Sequence, residues 1–125
     1  MNKISDIRVK TKAKDLCKYV MIITNKSPKH YRYTFVNRMQ NYALDVVENL
    51  YRANSIELNS LSIAKRSEYQ RQAACDIRLL CYVSMVAMEV DCILLKQYEQ
   101  ICKLASDIIP LIKAWMLSDK QRLQK

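Results

Sequence analysis

The chain has 125 residues and no glycine. Tight hairpin turns, phosphate-cradling loops, dinucleotide fingerprints and nucleophile elbows need a residue that takes positive φ freely or lets the backbone approach closely. Their absence points to an all-α protein and away from the common nucleotide-hydrolysing and dinucleotide-binding enzymes. Helix ends must then use other stops, and Asn25 and Asn54 are the residues best suited to a left-handed C-terminal position. Half of the residues are apolar, so a packed core is expected rather than disorder. Area scaling gives roughly 7,000 Å² for the folded chain against about 21,000 Å² extended, enough for one domain with its own core over residues 1–125.

Four helical segments follow from the spacing of apolar residues. The first covers residues 7–25, where Val9, Ala13, Leu16, Val20 and Ile23 recur at steps of three and four. The second covers 28–52, with Ser27 as N-cap and Pro28 at the first helical position. Its core face is Phe35, Met39, Tyr42, Val46 and Leu50, widened by Val36, Ala43 and Val47. Residues 54–62 are polar and read as a loop. The third covers 63–90: its first half is charged, and Leu79 to Met88 is apolar nearly all round. Such a helix is buried on more than one side, which gives either a central helix or a subunit interface. The fourth covers 94–117, where Leu94, Tyr98, Ile101, Ala105, Ile108, Ile112 and Trp115 alternate steps of four and three. Pro110 is expected to kink it, and the charged tail after Ser118 is expected to fray. The implied architecture is an antiparallel up-down four-helix bundle that self-associates.

Net charge is +9, and it is unevenly placed. Residues 1–40 hold ten basic side chains, Lys3 and Arg8 among them, against Asp6 and Asp15. The rest of the chain is near balance. A polyanion is the natural partner of such a segment. The candidate phosphate contacts are Lys10, Lys12, Lys14, Lys18, Lys29, Arg32 and Arg38, with Arg66, Arg71 and Arg78 as a second stripe. A basic amphipathic first helix could instead lie on an anionic membrane. With three further helices to pack against, a bundle helix is the preferred reading and no membrane role is assigned. The first twenty residues lack an apolar signal-peptide region, and a cytoplasmic location is expected.

Catalytic chemistry finds no support in the residue types. His30 is the only histidine, and no serine or cysteine is tied to it by a known spacing. A helical ribonuclease that sets an arginine four to six residues before its histidine would need it at Lys26, Asn25 or Thr24. Cys17, Cys75, Cys81, Cys92 and Cys102 contain no paired spacing and fall within apolar patterns, so they read as small core residues in a reducing compartment. Asp45 and Glu48 could share a metal, but solvated charges are the simpler reading. No cofactor, metal site or enzyme activity is assigned.

The segment Ser27-Pro28-Lys29-His30-Tyr31-Arg32-Tyr33 interleaves cations with aromatic rings. Two readings are open from spacing alone: contact with phosphates or bases, or the start of a helix with snorkelling side chains. Pro28-Lys29-x-Tyr31-Arg32-Tyr33-Thr34, followed by Arg38 and an apolar helix, resembles the accessory variability determinant (Avd) family of diversity-generating retroelements. Gln97-Tyr98-Glu99 and the late Trp115 resemble that family's last helix, and the likeness covers residues 10–118. Pro110 departs from it. The resemblance implies a four-helix bundle assembled as a homopentamer. It implies binding to the element's reverse transcriptase and to RNA or DNA, and a supporting role without activity of its own in mutagenic copying. Pro28, Lys29, Tyr31 and Arg32 carry over as the shared segment. The broader relatives, four-helix-bundle proteins encoded within ribosomal RNA intervening sequences, supply the alternative of a scaffold without a reverse-transcriptase role.

Overall fold

Four long helices carry the fold. The computed structural model of the chain describes residues 3–124, with side chains from Arg8 onward. The side chains of Lys3 and Asp6, counted above, lie outside the described residues. The helices are α1 (Lys3–Thr24), α2 (Asn37–Ser55), α3 (Ile63–Glu89) and α4 (Leu95–Leu123), with no strand among the described residues. α2 packs on α1 and α3, and α4 closes the arrangement against α1 and α3. Each helix contributes to one apolar core.

The apolar stripe of α1 is buried in that core: Val9, Ala13, Leu16, Val20 and Ile23 are all nearly inaccessible. It is therefore not the face that a membrane-surface helix would need. On α2 the buried line is Val36, Met39, Ala43, Val46, Leu50 and Ala53. Phe35, Tyr42 and Val47, placed on the core face by spacing, sit at its edges. On α3, Ile77, Leu80, Ser84 and Ala87 face inward, whereas Tyr82 and Leu79 remain exposed. On α4 the seam Ile101, Ala105, Ile108, Ile112 and Trp115 is buried. Leu94 and Tyr98 fall outside this buried line: Leu94 is exposed and Tyr98 half-buried. The four-three spacing passes through Pro110 without slipping, and the proline itself faces solvent.

The chain stops its helices without glycine by three local devices. α3 ends in a residue at φ 63°, Asp91, not at Asn25 or Asn54. Aspartate tolerates the left-handed region better than most residues. The Cys92 N–H donates to Ala87 O at 2.8 Å and the Asp91 N–H to Met88 O at 3.1 Å. That pair of bonds is a Schellman stop. α4 opens with the Gln97 side chain accepting the Leu94 N–H at 2.8 Å, half of a capping box. Ahead of α3, Asn59 Oδ1 accepts the Leu61 and Ser62 N–H groups at 2.9 and 3.0 Å, an Asx turn.

Two buried polar groupings tie the helices together. Arg66 and Asp119 form an ion pair at 2.8 Å, both nearly inaccessible. Arg66 also donates to Ile56 O at 2.8 Å, and Gln70 donates to Asp119 at 3.0 Å. The guanidinium lies over the Trp115 ring at 5.2 Å. This corrects two expectations. Arg66 is not part of an exposed basic stripe, because its charge is spent on Asp119. The tail after Ser118 does not fray at once, because Asp119 is anchored and α4 continues to Leu123.

The second grouping is Asp76, which accepts from Asn49 at 2.9 Å and Gln72 at 3.0 Å and is in no ion pair among the described residues. Burial pushes its carboxyl above the ordinary carboxylate range; the two amide bonds pull down, and Asp45 pushes up. The folded state therefore holds this proton more tightly than the unfolded chain. The group's contribution to stability is present below the unfolded pKa and falls as pH rises through the folded one. Asp76→Asn is expected to flatten that part of the pH profile, read as thermal midpoints from about pH 4 to pH 8.

Candidate nucleic-acid interface

Between α1 and α2 the chain does not run straight into a helix. Pro28 sits at φ −54°, ψ 138°, an extended turn position. The Ser27 side chain makes no cap bond there, so the expected Ser27 cap is absent. A short 3₁₀ turn (Lys29–Tyr31) follows, then a π-helical stretch (Arg32–Val36), before α2 begins at Asn37. The Asn37 N–H reaches back five residues to Arg32 O. A π turn is wider than an α turn and concentrates at functional sites. Here it lets Tyr31 and Val36, five apart, both turn toward the core.

Tyr31 pins this segment. Its hydroxyl donates to Val90 O at 2.8 Å, beside the left-handed Asp91. Its ring meets Phe35 edge-on at 5.6 Å, and His30 lies against it at 4.0 Å. The two readings of the segment are thus divided among its residues. Pro28 and Tyr31 shape the start of the helix, while Lys29, Arg32 and Tyr33 point to solvent.

The outward residues line a cleft of about 350 Å³ with Asn25, Asn37, Gln40 and Thr24. Its floor is fixed by Gln40 Nε2 donating to Thr24 Oγ1 at 3.0 Å, and Thr24 donating in turn to Val20 O at 2.6 Å. No carboxylate is among its described lining residues. Neither Lys29 nor Arg32 is in an ion pair among the described residues.

The same seam between α1 and α2 carries two of the first-helix lysines. Lys10 and Lys14 border a smaller hollow with Val47, Leu50 and Tyr51. Lys10, Lys14 and Lys18 are four apart, so they form one row on α1. From Lys10 to Thr24 the helix rises about 21 Å. Four of the expected contacts, Lys10, Lys14, Lys29 and Arg32, border hollows along one seam, with exposed Tyr51 and Tyr33 beside them, and Lys18 is exposed one turn beyond Lys14 on α1.

The other expected residues lie elsewhere. Lys12 turns to α4 and meets Asp107 at 3.9 Å. Arg38 borders a groove with Phe35, Tyr82 and Val86, on the α3 side of α2. Arg71 and Arg78 are exposed on α3, seven apart, with Tyr82 one turn beyond Arg78. Arg66 is buried. Spacing alone did not select Tyr33, Asn25, Asn37 and Gln40, since only the folded α1–α2 junction brings them together. The alternation of cations and rings was the one available signal.

The described residues hold no group of three His, Cys, Asp or Glu able to take a metal. All five cysteines are free. Burial pushes the Cys81 thiol up to about 11, with Cys102 beside it adding to the rise, and burial likewise raises Cys17 and Cys92. Raised thiols are poor nucleophiles. No helix among the described residues is long and apolar enough to cross a membrane.

No protein-family model matches the sequence, and no curated protein matches it either.

Proposed function

We propose that the chain is a non-catalytic accessory subunit of a diversity-generating retroelement. It binds single-stranded RNA or cDNA along the α1–α2 seam and associates with the element's reverse transcriptase. One observation carries this reading: four cations line the hollows of one seam, two of them around a cleft with no carboxylate among its described lining residues, within the stretch that resembles the Avd family. Clustered cations that are not neutralised internally are available to phosphates. The reading includes an antiparallel up-down bundle, a homo-oligomer (a pentamer by the resemblance) and a cytoplasmic setting.

Self-association is supported by the exposed apolar residues of α3. Tyr82 is 61% exposed and Leu79 37%, and Tyr82 borders a groove with Phe35, Val83 and Val86. Sedimentation is expected to give a mass several times that of one chain, and a strict monomer would contradict assembly. Assembly would multiply weak contacts to a strand through avidity.

The test of the functional reading is co-purification with a reverse transcriptase encoded beside this chain. Capture of that enzyme together with its template RNA is expected, with RNA recovery reduced for Lys29→Ala combined with Arg32→Ala. If neither enzyme nor RNA is captured, the ribosomal intervening-sequence scaffold takes its place, for which the exposed face of α3 would be the working surface.

A further inference from the structure

We propose that the cleft at the α1–α2 junction holds one unpaired nucleotide of a single strand, its phosphate between Lys29 and Arg32 and its base on the Tyr33 ring. This rests on the nucleic-acid reading above and adds to it a ligand unit and a place.

The size of the cleft sets the unit. About 350 Å³ lies at the small end of ligand pockets. It suits one nucleotide and is too small for a stack of bases. The charge sets the phosphate. Two cations border the cleft, no acid lines it, and neither cation is paired among the described residues. Their side chains need release no internal partner to meet an anion.

The base is set by what stands beside the cations. Tyr33 is 84% exposed, with no ring or hydrogen-bond partner among the described residues. A large aromatic left in water beside two cations is the arrangement that stacks an unpaired base. The polar wall is complementary to a base edge. Gln40 gives its amide NH₂ to Thr24, so its carbonyl oxygen remains as an acceptor. Asn37 Oδ1 already accepts from Asn41 at 3.2 Å, so its NH₂ remains as a donor. A base edge presents a donor and an acceptor side by side, and this pair can meet both.

The cleft is also preformed. Pro28 fixes one wall, Tyr31 is tied to Val90 O, and the π turn holds Arg32 and Tyr33 on the outer side. A site that need not be ordered on binding loses less free energy to conformational entropy. A base inside a duplex cannot leave its stack to reach Tyr33 without unpairing, so the cleft discriminates by strandedness.

The experiment measures affinity of the full chain for a short labelled single-stranded RNA and for the same sequence as a duplex, at about 0.1 M salt. Nucleoside monophosphate and inorganic phosphate serve as competitors. Tyr33→Ala is expected to weaken single-strand binding about 5- to 150-fold and to leave duplex binding unchanged. Tyr33→Phe keeps the ring and is expected to restore it. Because Tyr33 is exposed, both variants should keep the wild-type helical spectrum. Monophosphate should displace the strand at lower concentration than inorganic phosphate, since the base contributes. Equal displacement by the two would overturn the base contact. Tight monophosphate binding without strand binding would show the cleft to be a site for free nucleotides and overturn the strand. Wild-type affinity in Tyr33→Ala overturns the nucleotide site and leaves the broader nucleic-acid reading standing. Failure of the wild type to bind any RNA overturns both.

Discussion

Asp119→Ala is expected to be the most damaging single substitution outside the apolar core. Removing this carboxylate leaves the Arg66 guanidinium nearly inaccessible with its charge uncompensated, and Gln70 loses its acceptor. Breaking one side of a buried pair costs about 3–5 kcal/mol. Domains of this size are stable by about 5–15 kcal/mol, so the loss is a large share of the whole. In urea the midpoint should fall by roughly 2 M. Arg66→Met combined with Asp119→Leu should recover much of the loss, because neither buried charge then remains. A single variant as stable as the wild type would mean that Arg66 finds water or another partner, and the clamp between α3 and the end of α4 would have no energetic weight.

The second large effect concerns the seam. Replacing Lys10, Lys14, Lys29 and Arg32 together with neighbouring Lys18 by alanine removes five cations that are in no ion pair among the described residues, while touching no core residue. Each neutralised phosphate of a single strand contributes about 0.7 to the slope of log K against log salt. Five of them together amount to about three orders of magnitude in affinity near 0.1 M salt. Arg71→Ala with Arg78→Ala, on the exposed side of α3, should cost no more than about 25-fold by the same arithmetic, since at most two phosphates are involved. The opposite ranking, measured by anisotropy with one labelled RNA, would move the interface to the α3 side of α2, where Arg38 and Tyr82 lie.

Much of the bundle was legible because its helices bury regular stripes. Val9 to Ile23 and Ile101 to Trp115 keep their spacing from sequence to core without a slip. The same rule, carried further, would have found the clamp. On α3 the buried positions Arg66, Gln70, Ala73, Ile77, Leu80, Ser84 and Ala87 alternate four and three, and on α4 Asp119 comes four after Trp115. Arg66 and Asp119 looked like surface charges because of their type, whereas their register placed them on the seam. A charge on a buried register calls for an opposite charge on the facing helix, and here each supplies the other.

The α1–α2 junction was less legible. Whether a chain closes hydrogen bonds four or five residues back is decided by small differences in packing, and here Tyr31 reaches across 59 residues to Val90. The cleft needs Asn25 and Gln40 to be adjacent, which no local pattern encodes. The stop at Asp91 was missed for a related reason. Asparagine was favoured for the left-handed position, yet the termination of α3 depends on the carbonyls of Ala87 and Met88 finding donors. Tyr33 was in plain view in the sequence, and its partition from Tyr31 became clear only when one ring was found tied inward and the other left in solvent.

As an electrostatic site for a single strand, the α1–α2 seam must bind more weakly as salt rises. The most direct measurement is the affinity of the wild-type chain for single-stranded RNA as a function of salt. With five phosphates neutralised, log K should fall against log salt with a slope near −3.5, and the slope should approach zero when the four seam cations and Lys18 are replaced. A flat dependence in the wild type, or an unchanged slope in the five-site variant, would contradict the account.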